Sequence, residues 1–174
     1  GSIPHTGHVL AVDDQGYVLC QYPVTRTVRT DSGTMPYTFH QYTLLGLDFT
    51  VLQDGIDQYY NVGQYDYSCD SELFYNGLVA VRVGATDWYL PDGGPWPRLY
   101  FNSKYMFIDH SGKTVSSSRY DEVSHENDRW FGCHGTTEYL LDSNGNEREQ
   151  ANYCYVPSTW AENIVEQAEK DGLR

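Results

Sequence analysis

Tyr105-Met106-Phe107-Ile108-Asp109-His110-Ser111-Gly112 decides how this chain is read, because two other stretches say nearly the same thing. Val9-Leu10-Ala11-Val12-Asp13-Asp14-Gln15-Gly16 and Glu138-Tyr139-Leu140-Leu141-Asp142-Ser143-Asn144-Gly145 also run from apolar residues into Asp-x-x-Gly. Asp109 and Asp142 stand 142 − 109 = 33 residues apart, a period at which self-similarity signals stacked supersecondary units. Residues such as Val, Ile, Leu, Phe and Tyr before the Asp predict a strand. Asp-x-x-Gly then predicts a tight turn, because Gly takes positive φ freely and Asp hydrogen-bonds the turn backbone.

Outward from that turn the pattern continues. The Asp109 copy is followed by Lys113-Thr114-Val115 and then Arg119-Tyr120-Asp121. An earlier version of this second half reads Gln64-Tyr65-Asp66, followed by Phe74-Tyr75-Asn76-Gly77-Leu78-Val79-Ala80-Val81-Arg82-Val83. The unit is therefore strand, Asp-x-x-Gly, strand, Tyr-Asp, then Asn-Gly-Leu-Val-Ala-Val. This order resembles the WG β-repeat family, which occurs in tandem in many bacterial proteins. The fit is best from Phe74 to Glu147, and the family's Trp-Gly before the strand is replaced here by Lys104-Tyr105-Met106 and Thr137-Glu138-Tyr139. The resemblance implies a scaffold or binding array and no reaction.

Three regions follow. Residues 1–73 read as a degenerate N-terminal β-repeat region, in which Tyr37-Thr38-Phe39-His40-Gln41-Tyr42-Thr43-Leu44 alternates as a strand and Asp54-Gly55 suggests a hairpin turn. Residues 74–156 carry the WG-like repeats, interrupted over 85–101 by an aromatic insertion rich in Pro and Gly. Residues 157–174 predict a short amphipathic α-helix, with Trp160, Ile164 and Ala168 four apart, Thr159 and Glu162 as a capping box and Gly172 as a C-cap. That segment resembles the opening helix of a surface-layer homology module, a type of unit that holds bacterial proteins on cell-wall polysaccharide. The expected fold is thus mainly β, about three hairpin-type units closed by one C-terminal helix.

Composition narrows the function. Twenty-four acidic against 11 basic residues give a formal charge of −13, which repels nucleic-acid phosphates and anionic lipid. No stretch approaches the ~18 apolar residues of a membrane span. No signal peptide is present, and Gly1-Ser2 has the look of an expression remnant, so a native leader is expected to have been removed; the resemblance to a wall anchor, with abundant Tyr, Asn, Ser, Thr and Gly and few Lys, points to a secreted or cell-surface protein. Cys20, Cys69, Cys133 and Cys154 include no C-x-x-C pair, which disfavours zinc. In an exported protein Cys133 with Cys154 closes the shortest downstream loop, while four buried thiols are the alternative.

Candidate chemistry is sparse. The six His residues include no H-E-x-x-H and stand beside no G-x-S-x-G. Ser124-His125-Glu126-Asn127-Asp128 is polar enough for an active site but reads as a surface loop. Asp142-Ser143-Asn144-Gly145-Asn146-Glu147 echoes part of a calcium loop without its full spacing. No cofactor or metal is expected. The aromatic insertion offers Trp88, Tyr89, Trp96 and Tyr100, which can either stack on sugars or anchor a protein partner, or else fold inward to cap a neighbouring core. The leading expectation is a non-enzymatic binding or spacer module that meets cell-wall polysaccharide or a protein partner. A hydrolase or carbohydrate-active accessory domain using Asp66, Asp70 and Glu72 beside the aromatic platform is the rival.

Overall fold

The computed structural model describes residues 7–60, 72–93, 97–135 and 137–151. The expected C-terminal helix of 157–174 lies outside the described residues, as do Asp66, Asp70, Trp96, Cys69 and Cys154. Within them the chain is mainly β, in two open sheets. In chain order the strands are β1 (His8–Val12), β2 (Val18–Thr30), β3 (Gly33–Leu45), β4 (Val51–Tyr59), β5 (Leu78–Val83), β6 (Trp88–Tyr89), β7 (Tyr100–Phe101), β8 (Tyr105–Asp109), β9 (Glu122–Glu126), β10 (Arg129–His134), β11 (Thr137–Leu141) and β12 (Glu147–Ala151). The first sheet runs β7-β6-β2-β3-β4-β5-β8, with β1 also on β2, and the second runs β12-β11-β10-β9.

The hairpin of β5 and β8 is the hinge between two cores. Leu78 pairs with Asp109 and Arg82 with Tyr105, so the apolar runs of both strands face each other in register. Because side chains alternate across a strand, Val79, Val81, Met106 and Ile108 turn to one core with Leu19, Leu44, Ile56 and Phe74. Leu78, Ala80, Tyr105 and Phe107 turn to the other, where Trp130, Tyr120 and Val123 close against them. Burial on both faces explains why these strands are continuously hydrophobic instead of alternating. Trp130 lies edge-on to Phe107 at 5.1 Å and donates from Nε1 to the Tyr75 carbonyl at 2.7 Å, tying the second sheet to the entry of β5.

The three Asp-x-x-Gly stretches form turns closed by the same bonds. Oδ1 of Asp13 accepts from the backbone N–H groups of Gln15 and Tyr17, that of Asp109 from Ser111 and Lys113, and that of Asp142 from Asn144 and Asn146, all between 2.8 and 3.1 Å. The glycine at the fourth position has φ of 94°, 83° and 76° in turn, a region that L side chains avoid.

Two expectations are corrected. Asp54-Gly55 is no hairpin turn: it lies inside β4, where Tyr42 pairs with Ile56 and Leu44 with Gln53, so the strand carries one extra residue, a bulge with Gly55 at φ 63°. Asp54 holds that bulge by accepting from Thr43 Oγ1 at 2.7 Å and from Gly55 N–H at 2.8 Å. Nor is Ser124-His125-Glu126 a loop, since it belongs to β9, with His125 opposite Trp130.

Before Tyr42, β3 has no pairing with β4, and between the pairings of Gln21 and Arg29, β2 has none with β1 or β6. The middle of β2 and the first half of β3 therefore form a two-stranded ribbon, which explains how Pro23 and Pro36 are tolerated in long strands. Cys20 is a buried free thiol, and Cys133 is disulfide-bonded to a partner outside the described residues.

Candidate functional site

The aromatic insertion does not hang free; it lies along the ribbon. Tyr89 of β6 pairs in parallel with Arg29 of β2, and the ribbon of β6 and β7 pairs Trp88 with Phe101 and Tyr89 with Tyr100. Arg29 forks onto Asp87, Nε to Oδ1 at 2.9 Å and Nη2 to Oδ2 at 2.6 Å, the paired geometry that fixes a carboxylate in orientation as well as position. Both ends of the insertion are clamped. At its start the Ala85 N–H donates to Asp57 at 3.0 Å, while Thr86 and Asp87 N–H groups donate to Asn102 Oδ1 at 3.0 and 3.2 Å. At its end the buried Arg82 guanidinium donates to the carbonyls of Ser103 and Asp121 and lies 4.4 Å over the Tyr105 ring. Burial raises the Asp57 carboxyl above its ordinary range, against the donors from Ala85 and Gln41.

Within this frame the four aromatic candidates separate. Tyr89 is 3% exposed, sits under the Arg29 guanidinium at 5.7 Å and donates its hydroxyl to Asp31. Burial, with Asp31 adding to it, pushes the phenol up to about 12. Tyr89 is thus committed to packing. Tyr100, opposite it on β7, is half-buried, and Trp96 lies outside the described residues. Trp88 is half-buried on the ribbon, its ring 5.9 Å from that of Phe39 and 5.8 Å from the Arg26 guanidinium. Its Nε1 is buried with no hydrogen-bond partner among the described residues, an unusual state for an indole N–H.

Phe39 brings company that the sequence reading did not attach to Trp88. Met35, Tyr37 and Phe39 alternate along β3 and so share one face, and Arg26 stands opposite Tyr37 on β2. Tyr37 and Phe39 are half-buried, Met35 is 42% exposed and Arg26 is exposed. The outcome is an aromatic face of Tyr37, Phe39 and Trp88 edged by one guanidinium, on backbone held by long strand pairing. Such a face can stack on a planar or ring-shaped ligand. The period-two apolar spacing of 35, 37 and 39 was the available signal.

The turns gather at a second place. Asn76 and Gly77, with φ of 51° and 77°, make the tight turn before β5, and Asn127 and Asp128, with 51° and 62°, make that between β9 and β10. A cleft of about 260 Å³ lies between the turns at 13–16 and 109–112 and Asn76, walled by the Phe74 and His110 rings stacked at 4.1 Å. A second, of about 340 Å³, shares Asn76 with the first and lies between Trp130, Asp142 and Arg148. His125 Nε2 meets Asn76 Oδ1 at 2.6 Å, and burial lowers its pKa, favouring the neutral ring. Of the rival's carboxylates only Glu72 is described, and it lines the first cleft.

Among the described residues no group of three or more His, Cys, Asp or Glu is placed to hold a metal, and no helix is long and apolar enough to cross a membrane. Comparison with protein-family models, with curated proteins and with solved structures finds no match to this chain.

Proposed function

We propose that this chain is a non-enzymatic recognition module of a secreted or cell-surface bacterial protein, built from tandem WG-like β units, and that it meets glycan through the aromatic face around Trp88. The shared hydrogen bonding of the turns at Asp13, Asp109 and Asp142 supports the tandem reading. The resemblance of 157–174 to the start of a surface-layer homology module supports a place on the cell wall. One observation carries the recognition reading: a half-buried Trp88 ring lies on Phe39 beside Arg26, with its indole N–H unpaired among the described residues, on a ribbon clamped at both ends of the insertion. A pre-formed aromatic surface of this kind loses little entropy on binding. Among the described residues, the carboxylates whose titration is displaced, Asp57, Asp109, Asp121 and Asp142, are tied into backbone or side-chain bonds of the scaffold.

The test is retention of the purified chain on bacterial cell-wall polysaccharides and on a glycan panel, beside a folded Trp88→Ala, Trp96→Ala double variant. Retention by the parent and loss in the variant is the expected result. Absence of binding by either, with the variant less stable, would return the rings to core packing and make the module a spacer or a protein-partner scaffold.

A further inference from the structure

We propose that the turn-bearing end of the molecule holds a second binding site, separate from the aromatic face, which takes a short neutral oligosaccharide across the two clefts that meet at Asn76. The reading does not rest on the Trp88 surface, which involves other strands and other residues.

Geometry is the first argument. Both clefts are bordered by backbone fixed by hydrogen bonds: the Asp-x-x-Gly turns at 13–16 and 109–112 border the first, that at 142–145 the second, and the positive-φ residue Asn76 is common to both. The two volumes bracket the lower end for small-ligand sites, roughly 300 Å³, and a ligand that fills both must span Asn76. A chain of two or three sugar rings has that form. Rigid walls keep the ordering cost of binding low.

Chemistry is the second. The first cleft presents the half-buried His110 ring, backed at 4.1 Å by the buried Phe74, as a surface for the C–H face of a sugar. Asn76 is held at Oδ1 by His125, so with Nε2 protonated the imidazole donates, the amide is fixed, and its two Nδ2 hydrogens point away from that bond. An amide fixed by a ring packed on Tyr75 and Trp130 is an oriented donor, not a mobile surface group. Acceptors for hydroxyl groups come from Asp14 and Glu72 on one side and Ser143 on the other.

Charge decides between ligand classes. The first cleft is lined by carboxylates, whereas the second places Arg129 and Arg148 among Asp128 and Asp142. An anionic ligand is repelled by the first cleft, while the second, with two arginines against two aspartates and Arg148 bound to Asp142 at 2.7 Å, is balanced. Neutral hydroxyl-rich chains meet both ends without that penalty.

The experiment is a titration of isotope-labelled protein with cellotriose and with chitotriose, followed by the amide and indole resonances, with trigalacturonate as the anionic comparison. Expected are saturable shifts of the Asn76 side-chain amide, His110 and the Trp130 indole with at least one neutral trisaccharide, and weaker shifts with trigalacturonate. Asn76→Gly keeps the positive φ and removes the amide, and it is expected to weaken binding at least tenfold. Trp88→Ala is expected to leave these shifts intact even if the aromatic face binds nothing. His110→Ala, whose side chain lies in a turn, carries the same expectation as Asn76→Gly should that variant fail to fold. Shifts confined to Trp88 and Arg26, an unchanged affinity in Asn76→Gly and His110→Ala, or tighter binding of trigalacturonate would each overturn the proposal.

Discussion

Gly132 shows how far a single position can be read from its surroundings. It lies in β10 with Trp130 and Cys133 buried around it, and a Cβ added there would sit 2.5 Å from Cδ1 of Tyr120, a ring with no exposed surface. Backbone strain is not the issue; space is. Gly132→Ala should destabilise the fold by about 1–3 kcal/mol, the range for overpacking a filled core, as a denaturant melt will measure. Asp109 and Asp142 argue the same point through charge. The Ser111 hydroxyl beside Asp109, and the Asn146 N–H beside Asp142, lead the donors that lower each carboxyl below its ordinary 3.8. A carboxyl lowered by folding contributes stability that is complete above its unfolded pKa and is lost as pH falls through the lower folded value. Asp109→Asn should therefore flatten the acid limb of the stability profile, most visibly below pH 3.8. Tyrosines give the opposite limb. Tyr22, Tyr89 and Tyr105 are each raised from 10.0 to about 12, burial being the largest cause in all three. Phenols raised by folding contribute stability that is complete below pH 10 and is lost as pH rises through about 12, so alkaline unfolding and phenolate absorbance should rise together in that window.

At the scale of elements, the turns were legible and the pairings were not. Asp109 closes its turn with donors two and four residues away, so the whole motif is contained in residues 105–113. Asp54-Gly55 has the same local appearance as a hairpin turn, yet the bulge it forms depends on Thr43 and Tyr22, contributed by other strands. Trp88 was found as a candidate from its own sequence, but Phe39 lies far upstream, and only the fold brings the rings together. The polar run around His125 suggested a loop because its apolar partners, Tyr75 and Trp130, belong to other elements. Arg82 is the element-scale test of the clamp on the insertion. Its guanidinium bonds two carbonyls from different segments, Ser103 and Asp121, and lies within 3.5 Å of Glu122. Arg82→Met should cost about 2–4 kcal/mol, because two buried carbonyls lose charged donors. Hydrogen exchange should show the added opening concentrated between β5 and β8, where the insertion is anchored.

For the whole molecule, the β character and the two-sided burial of β5 and β8 follow from apolar runs visible in the chain, whereas the division into two cores needed the register of Leu78 with Asp109. Cys133 joins the second sheet to a sulfur outside the described residues, and reduction should lower stability by roughly 2–4 kcal/mol. Thermal melts with and without reductant will show it. In the proposed reading, the formal charge of −13 disfavours phosphate polymers and the aromatic face meets an uncharged partner. The measurement closest to that claim is the indole Nε1–H resonance of Trp88, followed while the protein is titrated with the cell-wall polysaccharide that retains it. A saturable shift of this resonance, accompanied by Arg26 and Phe39 and lost with Trp88→Ala, is the predicted result. A polysaccharide that binds while the Trp88 indole stays unmoved, or a glycan panel in which nothing binds, would contradict it.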